Sequence, residues 1–572
     1  MRASSPKPKK SIALTRQGAP TVFYSGVANF LESRFGSHLR VQARPEKRTL
    51  TRRLPKTARD LALLLTLCTL ASCDSATAFL PEYPSIDILI ENGDVVDGLG
   101  SDPVQADVVI VGDSIVFVGD AAFSEDDLVQ RVARRIDAAG RVVTPGFIDL
   151  HSHGDPLETP EFENFLAMGV TTISLGQDGS SPDTPNLEEW LGRVSQAGIG
   201  PNLAMFVGHG TLRGLSGIGL APEPAPEDLA TMLSMLDETL PYTFGMSTGL
   251  EYNPGLNARS AELRALAEVV GRHGRVIMSH MRNEDDDKLE QSIAELLEQG
   301  EHSRVHISHL KSVFGKGAER ADEILGILDA ARESGVDITA DVYPYTASYT
   351  GIGIVFPTWA KTGEQFEVAR RERRDELATY LRERVERRNG PEATLLGTGP
   401  YKGKTLAQLS FEHEMPFEDV LIDVIGPQGA SGAYFVMNEE LQSRLLQRPY
   451  VGVCSDGSPT GFHPRGHGTF AKIIEDYVVG QGALSLAEAV RKMTSFPAGI
   501  LGIDDRGSLQ PGSKADILVF DPQRVRARAT YPEPLQLAEG FDVVIVNGTL
   551  ARADGQLGGL SGRVLRPRAS VR

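Results

Sequence analysis

Between residues 146 and 500 the chain repeats one unit, a short apolar run followed by a polar or amphipathic stretch, and few folds absorb that rhythm. The runs sit in VVTPGFIDL, GVTTISLG, PNLAMFVGHG, FGMSTGLEY, RVIMSHMRNE, RVHISHLK, VDITADVYPY and YVGVCSDG. Short runs of this kind, rich in β-branched residues, read as strands buried on both faces. Most of the stretches between them read as helices. The repeated βα unit favours an α/β fold, a closed (β/α)8 barrel of the TIM type, over a doubly wound sheet. Residues 85–145 and 501–565 read instead as short alternating strands and turns, with Asn92-Gly93 and Gly112-Asp113 as hairpin signals. A small β-sandwich built from both chain ends is expected there. Residues 358–448 are richer in charge and helix formers, and predict a helical insertion before the last barrel strand, its charge run a solvated helix face.

Charge is distributed unevenly. Residues 1–72 carry a net charge of +11, which leaves −29 for the rest of a chain whose total is −18. An acidic body repels nucleic acid, so no nucleic-acid partner is expected. The basic start has another explanation: Arg52, Arg53, Lys56 and Arg59 precede the apolar run 61–70 (LALLLTLCTL), and Leu70-Ala71-Ser72-Cys73 follows. A charged region, a short apolar core and small residues before a cut make a secretory signal, too short for a transmembrane span. The last four residues resemble a bacterial lipobox, so residues 1–84 are expected to be leader, signal peptide and linker. Acylation of Cys73 would give an exported lipoprotein held at the membrane, facing the periplasm or the exterior. Of the other cysteines Cys68 falls in the signal, and Cys454 after an apolar run reads as packing, so no disulfide framework is expected.

Polar residues that bind metals recur where the apolar runs end. His151 and His153 close the first run; residues i and i+2 of a strand face the same way, so both imidazoles can point into a barrel mouth and share an ion. His280, His309 and Asp456 stand at the ends of three other runs. Barrel active sites lie at the C-terminal ends of the strands, and this donor set suits zinc with an open position for water.

GFIDLHSHGD, GVTT, GLEYNPG, SHMRNE, ISHLK, DVYPYTAS, SDG, HPRGHGTF and GSLQPGSKADILVFDP occur in the order found in the amidohydrolase superfamily. The set resembles the D-aminoacylase branch, the N-acyl-D-amino-acid deacylases, across residues 85–565. That resemblance implies one metal half-site from His151, His153 and Asp456 and another from His280 and His309, holding one or two zinc ions, with Asp456 also the general base. Where the family has a cysteine ligand in Gly-Asn-Cys-Gly, this chain has Gly176-Gln177-Asp178-Gly179, and Asp178 is the natural replacement. Arg465 offers a planar fork for a substrate carboxylate, with Tyr343 and Lys311 at assisting positions. Tyr252 and His209 match motifs near the pocket, and Tyr345 reads as packing. The implied activity is hydrolysis of an N-acyl-D-amino acid to a carboxylate and a free D-amino acid. The alternatives are an amidohydrolase acting on a cyclic amide or a D-residue dipeptide, and a catalytically inactive ligand-binding lipoprotein.

Overall fold

The computed structural model describes residues 83–121 and 123–568; the leader, the apolar run 61–70 and the Cys73 lipobox lie outside the described residues. The barrel strands are Phe147–Asp149, Val170–Leu175, Asn202–Met205 continued by Val207–Gly208, Gly245–Gly249, Val276–His280, Arg304–Ile307, Ile338–Val342 and Val451–Val453. Each pairs in parallel with the next. A parallel bridge between Ser152 and Gly457 joins the last to the first. Every residue of Val170–Leu175 is buried, as a strand covered on both faces requires. The helices turn one apolar stripe inward: in Leu187–Ala197, Leu187, Leu191 and Val194 are buried, and the Asn186 side chain caps the first turn by accepting the Glu189 N–H. At the barrel floor Ala498, Ile500 and Leu501 of helix Ser495–Leu501 pack with Phe206, Phe244 and Met278.

Strands from both chain ends hydrogen-bond into one nine-stranded sheet, in which Val142–Pro145 pairs antiparallel with Ile517–Phe520. Gly112-Asp113 turns the chain between Val104–Val111 and Ser114–Gly119. Asn92-Gly93 does not: strand Ile86–Val95 runs straight through it, with a register shift between Ile90 and Gly93. Asn92 is left-handed there (φ 61), and a Cβ on Gly93 would stand 2.4 Å from Val143 Cγ2. A bulge and a tight turn ask for the same local backbone, so the dipeptide alone does not separate them. The final stretch also departs from expectation, since Gly562 and Val564 bridge to Ile199 and Leu203 beside the barrel rather than to the sheet.

The segment before the last barrel strand is not purely helical. Helices Gly363–Glu372, Arg374–Arg387 and Leu406–Glu412 accompany a three-stranded antiparallel sheet of Ser348–Gly351, Ser431–Tyr434 and Thr394–Leu396, around a separate apolar core. Its far boundary also moves, because Leu441, Leu445 and Leu446 of helix Glu439–Leu446 join the barrel core. Nor is the charge run only a solvated face. Arg374 pairs with Asp419 and Asp423 at 2.7 and 2.6 Å, Arg382 with Glu418 at 2.5 Å, and Arg384 and Arg388 turn inward to Asp285.

Candidate active site

The strand ends bring His151, His153, Asp178, His280, His309 and Asp456 to one cluster at the barrel mouth, beside a cavity of about 690 Å³. Three of the six, Asp178, His309 and Asp456, have left-handed backbone (φ 53, 40 and 49), unusual for residues with a Cβ. Such conformations cost about 1–3 kcal/mol each and persist only where the surroundings hold them. Here they are held. The His309 N–H donates to Asp341 Oδ1 at 2.5 Å, and the Asp456 N–H to the His151 carbonyl at 2.8 Å. Beside Asp178, Gly179 approaches the end of strand Gly245–Gly249 so closely that a Cβ would stand 2.7 Å from the Gly249 nitrogen. Below the cluster Asp149, wholly buried, accepts the N–H groups of His151 and Ser455; burial pushes its carboxyl up to about 7.

Asp178 stands at the centre. Its Oδ1 is 3.4 Å from His151 Nε2, 3.3 Å from His309 Nε2 and 3.7 Å from His280 Nδ1, and its Oδ2 is 3.5 Å from His153 Nε2. Asp456 Oδ1 lies 3.2 Å from His153 Nε2 and 3.7 Å from His151 Nε2. Two pairs of ring nitrogens also face each other, His151 with His153 at 3.3 Å and His280 with His309 at 3.1 Å. Facing imidazole lone pairs need a proton or a cation between them. Donors about 2.0–2.2 Å from a tetrahedral zinc stand roughly 3.3–3.6 Å apart, so these side chains fit that ion. Carboxylates also face these rings. Burial and Lys311 disfavour a charged His309, yet Asp456, Asp178 and Glu284 outweigh them and push it up to about 10. Burial likewise raises Asp456, but Arg465 and the histidines hold its carboxyl well below the usual range.

The residues expected to meet substrate divide. Arg465 is buried at the cavity wall, not on the surface. Its Nη1 forms an ion pair with Asp456 Oδ2 at 2.6 Å, and its Nη2 donates to the Tyr349 carbonyl at 3.1 Å. Lys311 lines the cavity with its ammonium 2.6 Å from Glu284 Oε1 and 2.8 Å from His309 Nδ1. Tyr252 lines it too, its ring 4.5 Å from that of His280. Tyr343 is not part of the lining. Its buried ring lies 4.8 Å from the Arg465 guanidinium and 5.8 Å from the Lys311 ammonium, where it serves both cations from behind. His209 is likewise withdrawn, bonded through Nε2 to Glu262 at 2.7 Å, and Tyr345 packs against His463 and Tyr531. Two acids of the site escaped the sequence reading: Glu284, on Lys311 and His309, and Glu251, 3.2 Å from His280 Nε2. Both lie in quoted motifs, SHMRNE and GLEY, and the step of four from His280 to Glu284 is the only local signal.

Residues 220–551 match the amidohydrolase family. Over 513 residues the chain is 32% identical to the N-acyl-D-glutamate deacylase of Alcaligenes xylosoxydans xylosoxydans, covering 85% of this chain and 98% of that protein. A crystal structure of N-acyl-D-glutamate deacylase from Bordetella bronchiseptica, complexed with zinc and a phosphonate mimic of the tetrahedral intermediate, aligns with a TM-score of 0.72 at 30% identity, over 84% of this chain and all of that one. A D-aminoacylase structure bearing on the role of a binuclear metal centre aligns with the same TM-score, identity and coverage.

Proposed function

Since the chain belongs to the amidohydrolase family, we propose that it is a zinc-dependent deacylase that hydrolyses N-acyl-D-amino acids to a carboxylate and a free D-amino acid. The observation that carries this reading is the convergence of four imidazoles and two carboxylates on one point, with a buried guanidinium beside them. His151, His153 and Asp456 would hold one ion and His280 and His309 a second, with Asp178 reaching both; one or two ions fit. Zinc, when bound, supplies Lewis acidity that polarises the scissile carbonyl and acidifies water. Asp456 accepts a proton from the attacking water and returns it to the nitrogen as the C–N bond breaks. Arg465, with Lys311 nearby, binds the α-carboxylate, and Tyr343 steadies both cations. Tyr252 packs on His280 and closes one side of the pocket.

The same proposal extends to the whole chain. Residues 146–500 carry the chemistry. The strands that both chain ends contribute to one sheet support a small β-domain beside the barrel, and the segment from Ser348 to Tyr434 is the insertion before the last barrel strand. The basic stretch, the apolar run and the lipobox at Cys73 support an exported lipoprotein. The test of function is hydrolysis of a panel of N-acetyl-D- and N-acetyl-L-amino acids by zinc-reconstituted protein. Cleavage of D-substrates, abolished by a strong chelator and restored by zinc, is expected. Cleavage of L-substrates alone, or full activity in protein free of divalent metal by elemental analysis, overturns the proposal.

A further inference from the structure

Each histidine of the cluster has a second ring nitrogen, and in one half-site both of these meet a carboxylate. His280 turns Nδ1 to the cluster, and its far nitrogen, Nε2, faces Glu251 at 3.2 Å. His309 turns Nε2 to the cluster, 3.3 Å from Asp178, and its far nitrogen, Nδ1, faces Glu284 Oε1 at 3.2 Å. A histidine that gives one lone pair to a cation carries its hydrogen on the other nitrogen, and a carboxylate there fixes that tautomer. At His309 a lysine shares the carboxylate. The Lys311 ammonium is 2.6 Å from Glu284 Oε1 and 2.8 Å from the same Nδ1, and it donates to the His309 carbonyl at 3.1 Å.

An ammonium has three N–H donors and no acceptor. When Nδ1 offers its lone pair, Glu284 and His309 engage all three, and none is left for a ligand in the cavity that Lys311 lines. When Nε2 faces a cation, Nδ1 carries hydrogen and donates to Glu284 instead. The ammonium then keeps Glu284 and the carbonyl, and its third N–H is freed for an acceptor in the cavity. Lys311 is 2% exposed and Glu284 6%, so a carboxylate meeting that donor makes a charge-assisted bond in a water-poor wall. Glu284 is the anion that both arrangements need.

We infer that Glu284 is a positioning residue that couples the ion at His309 to the substrate carboxylate at Lys311, each favouring the other. This rests on the N-acyl-D-amino-acid deacylase reading. Because such coupling is reciprocal, it can be read from the ligand side, without turnover.

The probes are N-methanesulfonyl-D-leucine, whose sulfonamide replaces the scissile amide, and its carboxamide, N-methanesulfonyl-D-leucinamide, which differs at the carboxylate alone. Calorimetry gives the dissociation constants of both in zinc-free and in zinc-loaded protein. The acid's advantage over the carboxamide is expected to grow about fivefold or more on zinc loading, the lower end of ordinary coupling between sites. Whatever the sulfonamide gains from the ion cancels between the two probes. In Lys311→Met and in Glu284→Gln the zinc-dependent gain is expected to fall towards one. Plain attraction of an anion to zinc would persist in both variants, and a gain as large there as in the wild type overturns the inference. So does a wild-type advantage that zinc leaves unchanged, which needs no variant to fold. A chain that takes up no zinc, or that when loaded hydrolyses no N-acetyl-D-amino acid, overturns the deacylase reading beneath it.

Discussion

Asp456 has two masters. Oδ1 faces the histidines at 3.2 Å and Oδ2 takes Arg465 at 2.6 Å, so the group proposed as base is also anchored by a cation. Asparagine keeps the shape but accepts no proton from water. Asp456→Asn is expected to lower kcat by about 10²–10⁴-fold on an N-acyl-D-amino acid, the usual range for a general base. Because Arg465 loses its carboxylate, the melting transition is recorded alongside; unchanged turnover would remove Asp456 from the role. At this scale much of the site was legible. His151, His153, His280, His309 and Asp456 all close apolar runs, and strand periodicity alone aims residues there at one mouth. Glu284 was hidden because it sits among Asn283, Asp285, Asp286 and Asp287, and which acid turns inward is decided after the strand has ended.

Between elements, a buried triad ties two helices beside the cavity. Glu262 of helix Ser260–Arg272 takes Arg213 Nη1 at 2.6 and 2.7 Å and His209 Nε2 at 2.7 Å, both from helix His209–Leu215. Burial pushes the Glu262 carboxyl up, but His209 and Arg213 more than offset it and hold it down. Removing one partner of a buried pair leaves an uncompensated charge at a cost of about 3–5 kcal/mol. Glu262→Gln is therefore expected to lower stability by an amount of that order, read from the urea midpoint at unchanged slope. A midpoint equal to wild type would show that Arg213 finds compensation elsewhere. The motif residue His209 thus acts through an element contact, and Gly210 beside it, not His209, lines the cavity.

Across the whole molecule, Asp113 clasps the two chain ends, with Lys514 at 2.9 Å and Arg563 at 2.6 Å. Those two bonds hold its carboxyl well below the ordinary range against a smaller effect of burial. A depressed carboxylate stabilises above its unfolded pKa of about 3.9, and that contribution is lost as pH falls through the folded value. The clasp is partly solvent-exposed, so it is worth about 1 kcal/mol at most. Asp113→Asn should lower the melting temperature at pH 7, and the gap to wild type should shrink below about pH 4. A gap independent of pH would mean that packing, not charge, is lost. Export is tested at the same scale: mass spectrometry of the native protein should find a lipid-modified Cys73 as first residue, and an unmodified start upstream of residue 60 would contradict it.

The (β/α)8 rhythm and the positions of the candidate metal donors were legible in the sequence alone, because both follow from local periodicity: eight apolar runs, four of them closed by His151 and His153, His280, His309 and Asp456. Tertiary structure decided what depends on pairing between distant segments. It made Asn92-Gly93 a bulge, because Val143 packs against it. It gave the seventh barrel strand a successor segment with its own sheet, and moved the last residues from that end onto the barrel. It set Arg465 on Asp456 and turned Arg388 from a charged helix into the cavity. A charge carries no local mark of whether it will be solvated or buried. That depends on which opposite charges the closed barrel brings within a few ångströms, and only the folded chain supplies them.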